Sequence, residues 1–133
     1  MKFVAVNLQV TQLAFSDKSD PSITGTIVII GIPSLVHKVN GQGFCYDGFQ
    51  INVLNITAPA LGATTPDPLT YPAFFSATAT KEKELITNKN VLRVDDKTGI
   101  INANPINPSG PTPVPVSFRI QIVNAGQIKV QCN

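Results

Sequence analysis

The side chains that could do chemistry near neutral pH are few in this sequence. His37 is the only histidine, and Cys45 and Cys132 are the only cysteines. Together they could form three of the four ligands of a zinc site, because thiolates and imidazoles suit that metal. No fourth ligand accompanies them. We therefore predict no metal site. The alternative is that His37 lies at the edge of the core and that both cysteines are small buried hydrophobes.

The acidic residues are equally sparse. Asp95 and Asp96 are adjacent, and neighbours on a strand point to opposite faces, so we predict a solvated turn there. Asp17 and Asp20 could offer oxygen ligands to calcium, but two carboxylates are too few, and the sequence favours a plain turn. The sequence also contains no nucleophile elbow, no phosphate-binding glycine loop and no histidine-rich metal motif. We predict no catalytic residues, no cofactor and no enzymatic activity.

Alternating apolar and polar residues dominate the chain, which indicates β-strands and not helices. The clearest case is the C-terminal region, where two alternating runs flank a turn at residues 124–126. The residues predicted to face inward in these runs are Phe118, Ile120 and Ile122, then Ile128, Val130 and Cys132. The pattern predicts a β-hairpin.

The N-terminal region alternates too, with Val4, Val6, Leu8 and Val10 on one face before the phase slips by one residue. A β-bulge near residues 11–12 would explain the slip. Alternation and β-branched content predict further strands between the two ends. These are residues 23–30, 34–40, 43–46, 48–56, 72–80, 82–86, 91–94 and 98–102.

Two segments are rich in proline and do not match the strand pattern. Residues 58–70 contain three prolines and are predicted to form a long loop. Residues 103–115 contain five and are predicted to form a stiff, extended arm with an unpaired backbone, because proline withholds an N–H. The 133 residues suit a single domain. Its predicted fold is a compact antiparallel β-sandwich or barrel, with a conical stack of short β-hairpins as the alternative.

The composition restricts the partners. Charged residues make up 14% of the chain and its net charge is +2, without a basic run, so we predict no nucleic-acid partner. A surface of uncharged polar residues suits contact with other proteins, because such groups cost less to desolvate than ions. The apolar run at residues 27–32 is too short to span a bilayer. The first residues do not match a signal peptide, and we expect a soluble protein synthesised in the host cytoplasm.

A loose internal repeat relates residues 39–48 to residues 86–96. Each copy contains a short strand, a polar turn, a second short strand and an acidic turn. The wider pattern, residues 32–48 with a second copy at residues 80–95, resembles the repeats of PAAR-like proteins. Tyr46 stands where that family places arginine, and one histidine is fewer than its metal-bearing members use. The family caps the spikes of phage tails and contractile injection systems. The resemblance covers about half of the chain.

The resemblance implies a structural protein of a virion or phage-like particle, at the tail, baseplate or spike tip. Its partners would be other particle subunits, such as a trimeric spike or a capsid protein. A capsid decoration (cement) protein is the alternative, in which the N-terminal strand and the proline-rich arm reach across neighbours. A carbohydrate- or surface-binding β-sandwich is a second alternative, although the aromatic residues that bind sugars are scarce: the chain has two tyrosines and no tryptophan.

Overall fold

The computed structural model describes residues 2–78, 89–110 and 112–132. The regular secondary structure of this part of the chain is almost entirely β-strand, with two short 3-10 turns at Val10–Gln12 and Pro59–Leu61. In chain order the strands are β1 (Lys2–Phe3), β2 (Leu13–Ser16), β3 (Thr24–Ile29), β4 (Lys38–Val39), β5 (Gln42–Gly43), β6 (Gln50–Thr57), β7 (Tyr71–Ser76), β8 (Lys97–Thr98), β9 (Ile101–Ala103), β10 (Ile106–Asn107), β11 (Thr112–Pro113), β12 (Val116–Ile122) and β13 (Gln131–Cys132).

The main sheet has the strand order β2-β12-β8-β7-β6-β3, and β9 also pairs with β12. Every neighbouring pair in it is antiparallel. The two edge strands approach each other: a methyl group added at Gly25 of β3 would lie 3.3 Å from the ring of Phe15 of β2. The sheet is thus a nearly closed antiparallel barrel. The predicted all-β class is confirmed, and of the predicted sandwich or barrel the structure adopts the barrel.

The interior of the barrel follows from the period-two alternation of its strands. Inward-facing residues alternate with half-exposed ones along the whole of β12, and over most of β6. Phe118, Ile120 and Ile122, which the sequence pattern placed inward, are completely buried. Burial of each such side chain stabilises the fold by roughly 1.5–3 kcal/mol. The barrel core therefore rests on these alternating strands.

Two local predictions differ from the structure. The phase slip near residues 11–12 comes from the 3-10 turn at Val10–Gln12 and not from a β-bulge. Val10 begins this turn and is 45% exposed, so it does not share the inward face of Val4, Val6 and Leu8. The buried side chain of Gln12 stabilises the turn by accepting the N–H of Gln9 at 2.8 Å. The predicted strand 34–40 is reduced to β4. Residues 34–37 form a loop, in which Leu35 is 81% exposed.

The C-terminal hairpin prediction is wrong. β13 pairs antiparallel with β1, with Lys2 opposite Cys132 and Phe3 opposite Gln131. The segment between β12 and β13 is held by a side chain instead of a hairpin partner. The buried amide of Gln127 donates to the carbonyls of Val4 and Val130, both at 2.8 Å. Ile128, which was predicted to face inward, is 83% exposed.

The two proline-rich segments lie against each other. β10 pairs with β11, and Thr65 of the 58–70 loop forms a bridge with Ile106 of β10. Residues 103–115 are therefore paired within the chain and do not form the extended, unpaired arm that was predicted. The buried carboxylate of Asp67 connects both segments, because it accepts the hydroxyl of Tyr71 and the N–H of Asn104, each at 2.6 Å.

The predicted strand 82–86 lies outside the described residues. Within the described ranges, no helix combines the length and the apolar character needed to cross a membrane.

Candidate functional site

Three short segments form a closed ring at one end of the barrel. They are residues 3–7, 43–47 and 90–94, and we call this structure the ring. The central N–H of each segment donates to the central carbonyl of another: Ala5 to Leu92 at 2.8 Å, Leu92 to Cys45 at 2.8 Å and Cys45 to Ala5 at 3.0 Å. The three bonds follow one direction around the ring. The centres of the three segments are therefore equivalent.

The outer residues of the three segments are equivalent in the same way as their centres. The last N–H of each segment donates to the first carbonyl of the next one, and isolated antiparallel bridges join each pair of segments. The bonds are Asn7 to Gly43 at 2.9 Å, Asp47 to Asn90 at 2.8 Å and Val94 to Phe3 at 3.0 Å, and the bridges are Val6–Phe44, Tyr46–Val91 and Val4–Arg93. The backbone of the ring thus has approximate three-fold symmetry within a single chain.

Short strand pairs lead into two of the three segments, and these also correspond. β4 pairs with β5 immediately before residue 44, and β13 pairs with β1 immediately before residue 4. The N–H of Phe44 donates to the carbonyl of His37 at 2.9 Å, and that of Val4 donates to the carbonyl of Val130 at 3.0 Å. Residues 37–39 and 130–132 therefore occupy equivalent places, although they lie in distant parts of the sequence.

The two faces of the ring belong to different apolar clusters. Ala5, Cys45 and Leu92 are part of the main core of the barrel. Val4 and Val91 pack with Cys132 in a smaller cluster, to which Phe44 and Tyr46 contribute. The ring is therefore a plate that closes one end of the barrel and supports a second, smaller core on its outer side.

The structure does not bring the candidate zinc ligands together. Cys45 lies in the main core and Cys132 in the smaller one, while the Nδ1 atom of half-buried His37 lies 2.9 Å from the hydroxyl of Tyr46. The described residues contain no group of three histidine, cysteine, aspartate or glutamate side chains that could hold a metal ion. Both cysteine side chains are buried, and the two sulfur atoms are not bonded to each other.

Burial determines the chemistry of Cys45. The side chain is 1% exposed, and desolvation raises the pKa of its thiol to about 11, despite backbone hydrogen bonds from Leu8 and Asn7 that lower it. Because the thiolate is the reactive form, we expect Cys45 to resist an aromatic disulfide reagent at about pH 8 until the protein is unfolded. A Cys132→Ser variant would isolate its signal. Rapid labelling of this variant in the native state would contradict the described burial.

The solvated turn predicted at the acidic pair is present at Val94 and Asp95, but Asp96 is buried and not solvated. Asp96 is 2% exposed, and its carboxylate accepts the N–H of Arg93 at 2.9 Å. The guanidinium of Arg93 donates to the hydroxyl of Thr78 at 2.7 Å and to the carbonyl of Cys132 at 3.1 Å. Asp95 does lie at the surface, where it forms a 3.3 Å ion pair with Lys2. These contacts join the third ring segment to β13, and the pair therefore has a structural role.

The other acidic candidates also have local partners. Asp17 accepts from Lys97 at 2.9 Å and lies 3.9 Å from Arg119. This hydrogen bond, with the nearby cations, lowers its pKa against a smaller effect of desolvation. Asp20 accepts the N–H of Ser22 at 2.7 Å. The two carboxylates thus serve different turns and strands.

An apolar groove of about 530 Å³ lies beside the ring. One wall is the loop at residues 30–36, in which Ile32, Leu35 and Val36 are 80%, 81% and 75% exposed. Residues 46–50, Phe74 and Lys89 line the rest of the groove.

The backbone of this loop is firmly held although its side chains are exposed. Gly31 donates to the carbonyl of Gln50 at 2.8 Å, and Ser34 donates to that of Phe44 at 2.8 Å. The hydroxyl of Ser34 also accepts the N–H groups of Val36 and His37, at 3.1 and 2.9 Å. The apolar side chains are therefore presented to solvent from a fixed backbone.

No family model, no curated protein and no solved structure matches this chain.

Only part of the ring could be predicted from the sequence. The loose repeat relates residues 43–47 to 90–94, which are indeed equivalent in the ring, but residues 3–7 were not recognised as a third copy. Their strand partner comes from residues 130–132, so no continuous stretch of sequence carries the complete unit. The available signal was the alternation of Val4, Val6 and Leu8, which fits an ordinary strand equally well.

Proposed function

We propose that this chain is a structural subunit of a virion or phage-like particle, located at the tail, baseplate or spike tip, where it lies on a three-fold axis. The observation that supports this proposal is the ring, in which three different segments of one chain adopt the same arrangement around one axis. A single subunit that meets a trimeric partner along its axis faces three identical surfaces. A chain with three similar sides can contact all three in similar ways.

The state of the polar groups supports a contact role over a chemical one. Arg93, Asp96 and Asp67 are buried and hydrogen-bonded to the fold, and His37 lies beside a tyrosine hydroxyl. Among the described residues, these groups stabilise the ring and its supporting loops, and they do not converge around a substrate-sized space. The exposed groups that remain are mostly uncharged, as suits a surface that other proteins cover.

The alternatives have less support from the structure. A cement protein would use the N-terminal strand and residues 103–115 to reach its neighbours, but β1 is paired with β13, and β10 is paired with β11. A carbohydrate-binding surface would use exposed aromatic rings. Of the described aromatic residues only Phe74 is exposed, at 51%, and one ring is a small platform for a sugar. We therefore favour the three-fold position in the particle.

The equivalence of residues 38 and 131 gives a direct test. Both residues are exposed and occupy corresponding places beside the ring. A photo-cross-linking amino acid at Lys38 or at Gln131, in chains incorporated into particles, should link to the same surface of one trimeric protein. The same amino acid at exposed Ile100 is the matched control and should not link to that surface. Quantitative peptide mass spectrometry should find one copy of this chain for every three copies of that protein.

Two results would contradict the proposal. Hundreds of copies per particle would exclude a position at a tip and favour the cement role. Cross-links from residues 38 and 131 to unrelated proteins, or none to a trimeric protein, would show that the internal symmetry of the ring is not used for docking.

A further inference from the structure

The ring creates three junctions between its segments, and one junction contains an ion pair. Lys2 precedes the first segment and Asp95 follows the third, and their side chains meet at 3.3 Å. The bond from the Val94 N–H to the Phe3 carbonyl fixes this junction. Within this junction, the chain supplies both the cation and the carboxylate.

The corresponding places in a second junction are occupied by Lys89 and Gly48. The bond from the Asp47 N–H to the Asn90 carbonyl holds this junction in the same way. Gly48 and Asp95 share the left-handed backbone conformation, with φ of 86° and 76°. A methyl group added at Gly48 would lie 3.8 Å from the Nζ atom of Lys89. The lysine is therefore retained at the second junction, but the residue that would carry its carboxylate is a glycine.

Lys89 forms no ion pair with any carboxylate of the described residues. The neighbouring carboxylate of Asp47 accepts the N–H of Ala77 at 2.7 Å. Both Lys89 and Gly48 line the apolar groove. The groove thus has an exposed aliphatic wall along one side. At its border lies the ammonium group of Lys89, beside which Gly48 takes the place that Asp95 has beside Lys2.

We propose that this groove binds an extended segment of another protein chain, in which aliphatic side chains accompany a carboxylate that pairs with Lys89. The aliphatic part lies against Ile32, Leu35 and Val36, and the carboxylate takes the place that Asp95 occupies beside Lys2. The other junctions lack this combination, so each chain binds one such segment. This proposal goes beyond the three-fold position argued above and does not depend on it.

The geometry favours a peptide segment over two other occupants. Sites for small molecules usually enclose most of the ligand. The side chains of this wall are 75–81% exposed, so a small molecule would leave much of the wall uncovered. A second copy of this chain would meet through an apolar patch on the order of a few hundred Å². Stable dimers use roughly 800 Å² per partner.

Selection from a random heptapeptide display library on the immobilised chain tests the proposal. We expect enrichment of peptides with two or more aliphatic residues and one aspartate or glutamate. A synthetic peptide of the enriched sequence should shift the amide NMR signals of Leu35 and Gly48, with one peptide bound per chain. The same peptide with asparagine or glutamine in place of its acidic residue should bind about fivefold more weakly. This factor is the upper range of the contribution that an exposed ion pair makes.

Three variants distinguish the contact between Lys89 and the peptide carboxylate from nonspecific hydrophobic binding. Lys89→Gln and Gly48→Asp should each weaken binding about as much as removing the carboxylate from the peptide, because the first removes the cation and the second supplies it with an internal partner. Lys18→Gln is the matched control, since Lys18 contacts the carbonyl of Pro21 and does not line the groove. Its binding should equal that of the unchanged chain.

The proposal is overturned if no aliphatic and acidic class of peptide is enriched, or if the amide version binds as tightly. Unchanged affinity in Lys89→Gln or Gly48→Asp has the same consequence. Sedimentation with phosphatidylcholine and phosphatidylserine vesicles that is lost in Leu35→Ser would assign the loop to a lipid surface instead. Dimers that dissociate in this variant would assign it to a second copy.

Discussion

Replacing Asp67 with alanine should lower the free energy of unfolding by about 4 kcal/mol, because it removes the shared acceptor of three donors. The carboxylate is 3% exposed and accepts the hydroxyl of Tyr71 and the N–H groups of Asn104 and Leu69. Without it, the loop at residues 58–70 loses its connection to residue 104. Chemical denaturation of the variant beside the unchanged chain measures the difference.

The same carboxylate predicts a pH dependence in acid. Desolvation raises the pKa of Asp67, but the hydrogen bonds from Tyr71, Asn104 and Leu69 together lower it below its ordinary value of 3.8. Its contribution to stability is therefore complete above pH 3.8 and is lost as the pH falls through the lower value of the folded state. Asp67→Asn is the control. It should be less stable at neutral pH and should lose less stability on acidification. An equal acid loss in both proteins would show that other carboxylates control this transition.

Replacing Gly43 with alanine should cost about 3 kcal/mol, because the new methyl group would overlap the main chain of the apolar loop. It would lie 2.1 Å from the carbonyl oxygen of Ser34 and 2.9 Å from the side chain of Pro33. The loop would have to move and would lose the hydrogen bond from Ser34 to Phe44. Thermal or chemical unfolding measures the cost. Binding of the selected peptide should weaken as well, because the wall of the groove shifts.

Gly99→Ala is the matched control for this substitution. Nothing lies within 4 Å of the methyl group that it would add, so its stability should change by less than about 0.5 kcal/mol. Equal stability of the two variants would mean that the loop and β5 are not in the described contact.

The barrel could be predicted because its strands carry their own signal. Ile51 and Val53 of β6, and Phe118 and Ile120 of β12, alternate with half-exposed residues and are completely buried. Period-two alternation is a local property, and it needs no knowledge of which strands become neighbours. For this reason the class of fold and much of its core followed from the sequence.

Strand partners could not be predicted in the same way. Val130 and Cys132 alternate as a hairpin strand would, yet β13 pairs with β1 because the ring places residues 2–3 beside it. Buried polar groups were missed for a related reason: Asp96 was expected in solvent, and the Thr78 hydroxyl that donates to its carboxylate lies 18 residues away in sequence. The candidate site depends on such distant contacts, so the sequence revealed two of its three segments but not their closure.

The position of β13 beside β1 also bears on the order in which the chain folds. The strand pair β4–β5 closes a turn at Asn40 and Gly41, both in the left-handed conformation that tight hairpins require. Its counterpart joins residues 2 and 132. From the scaling of loop entropy with length, bringing those residues together costs about 3 kcal/mol more than closing the short turn. The local hairpin can therefore form early in synthesis, whereas β1 cannot pair with β13 until residue 132 has left the ribosome.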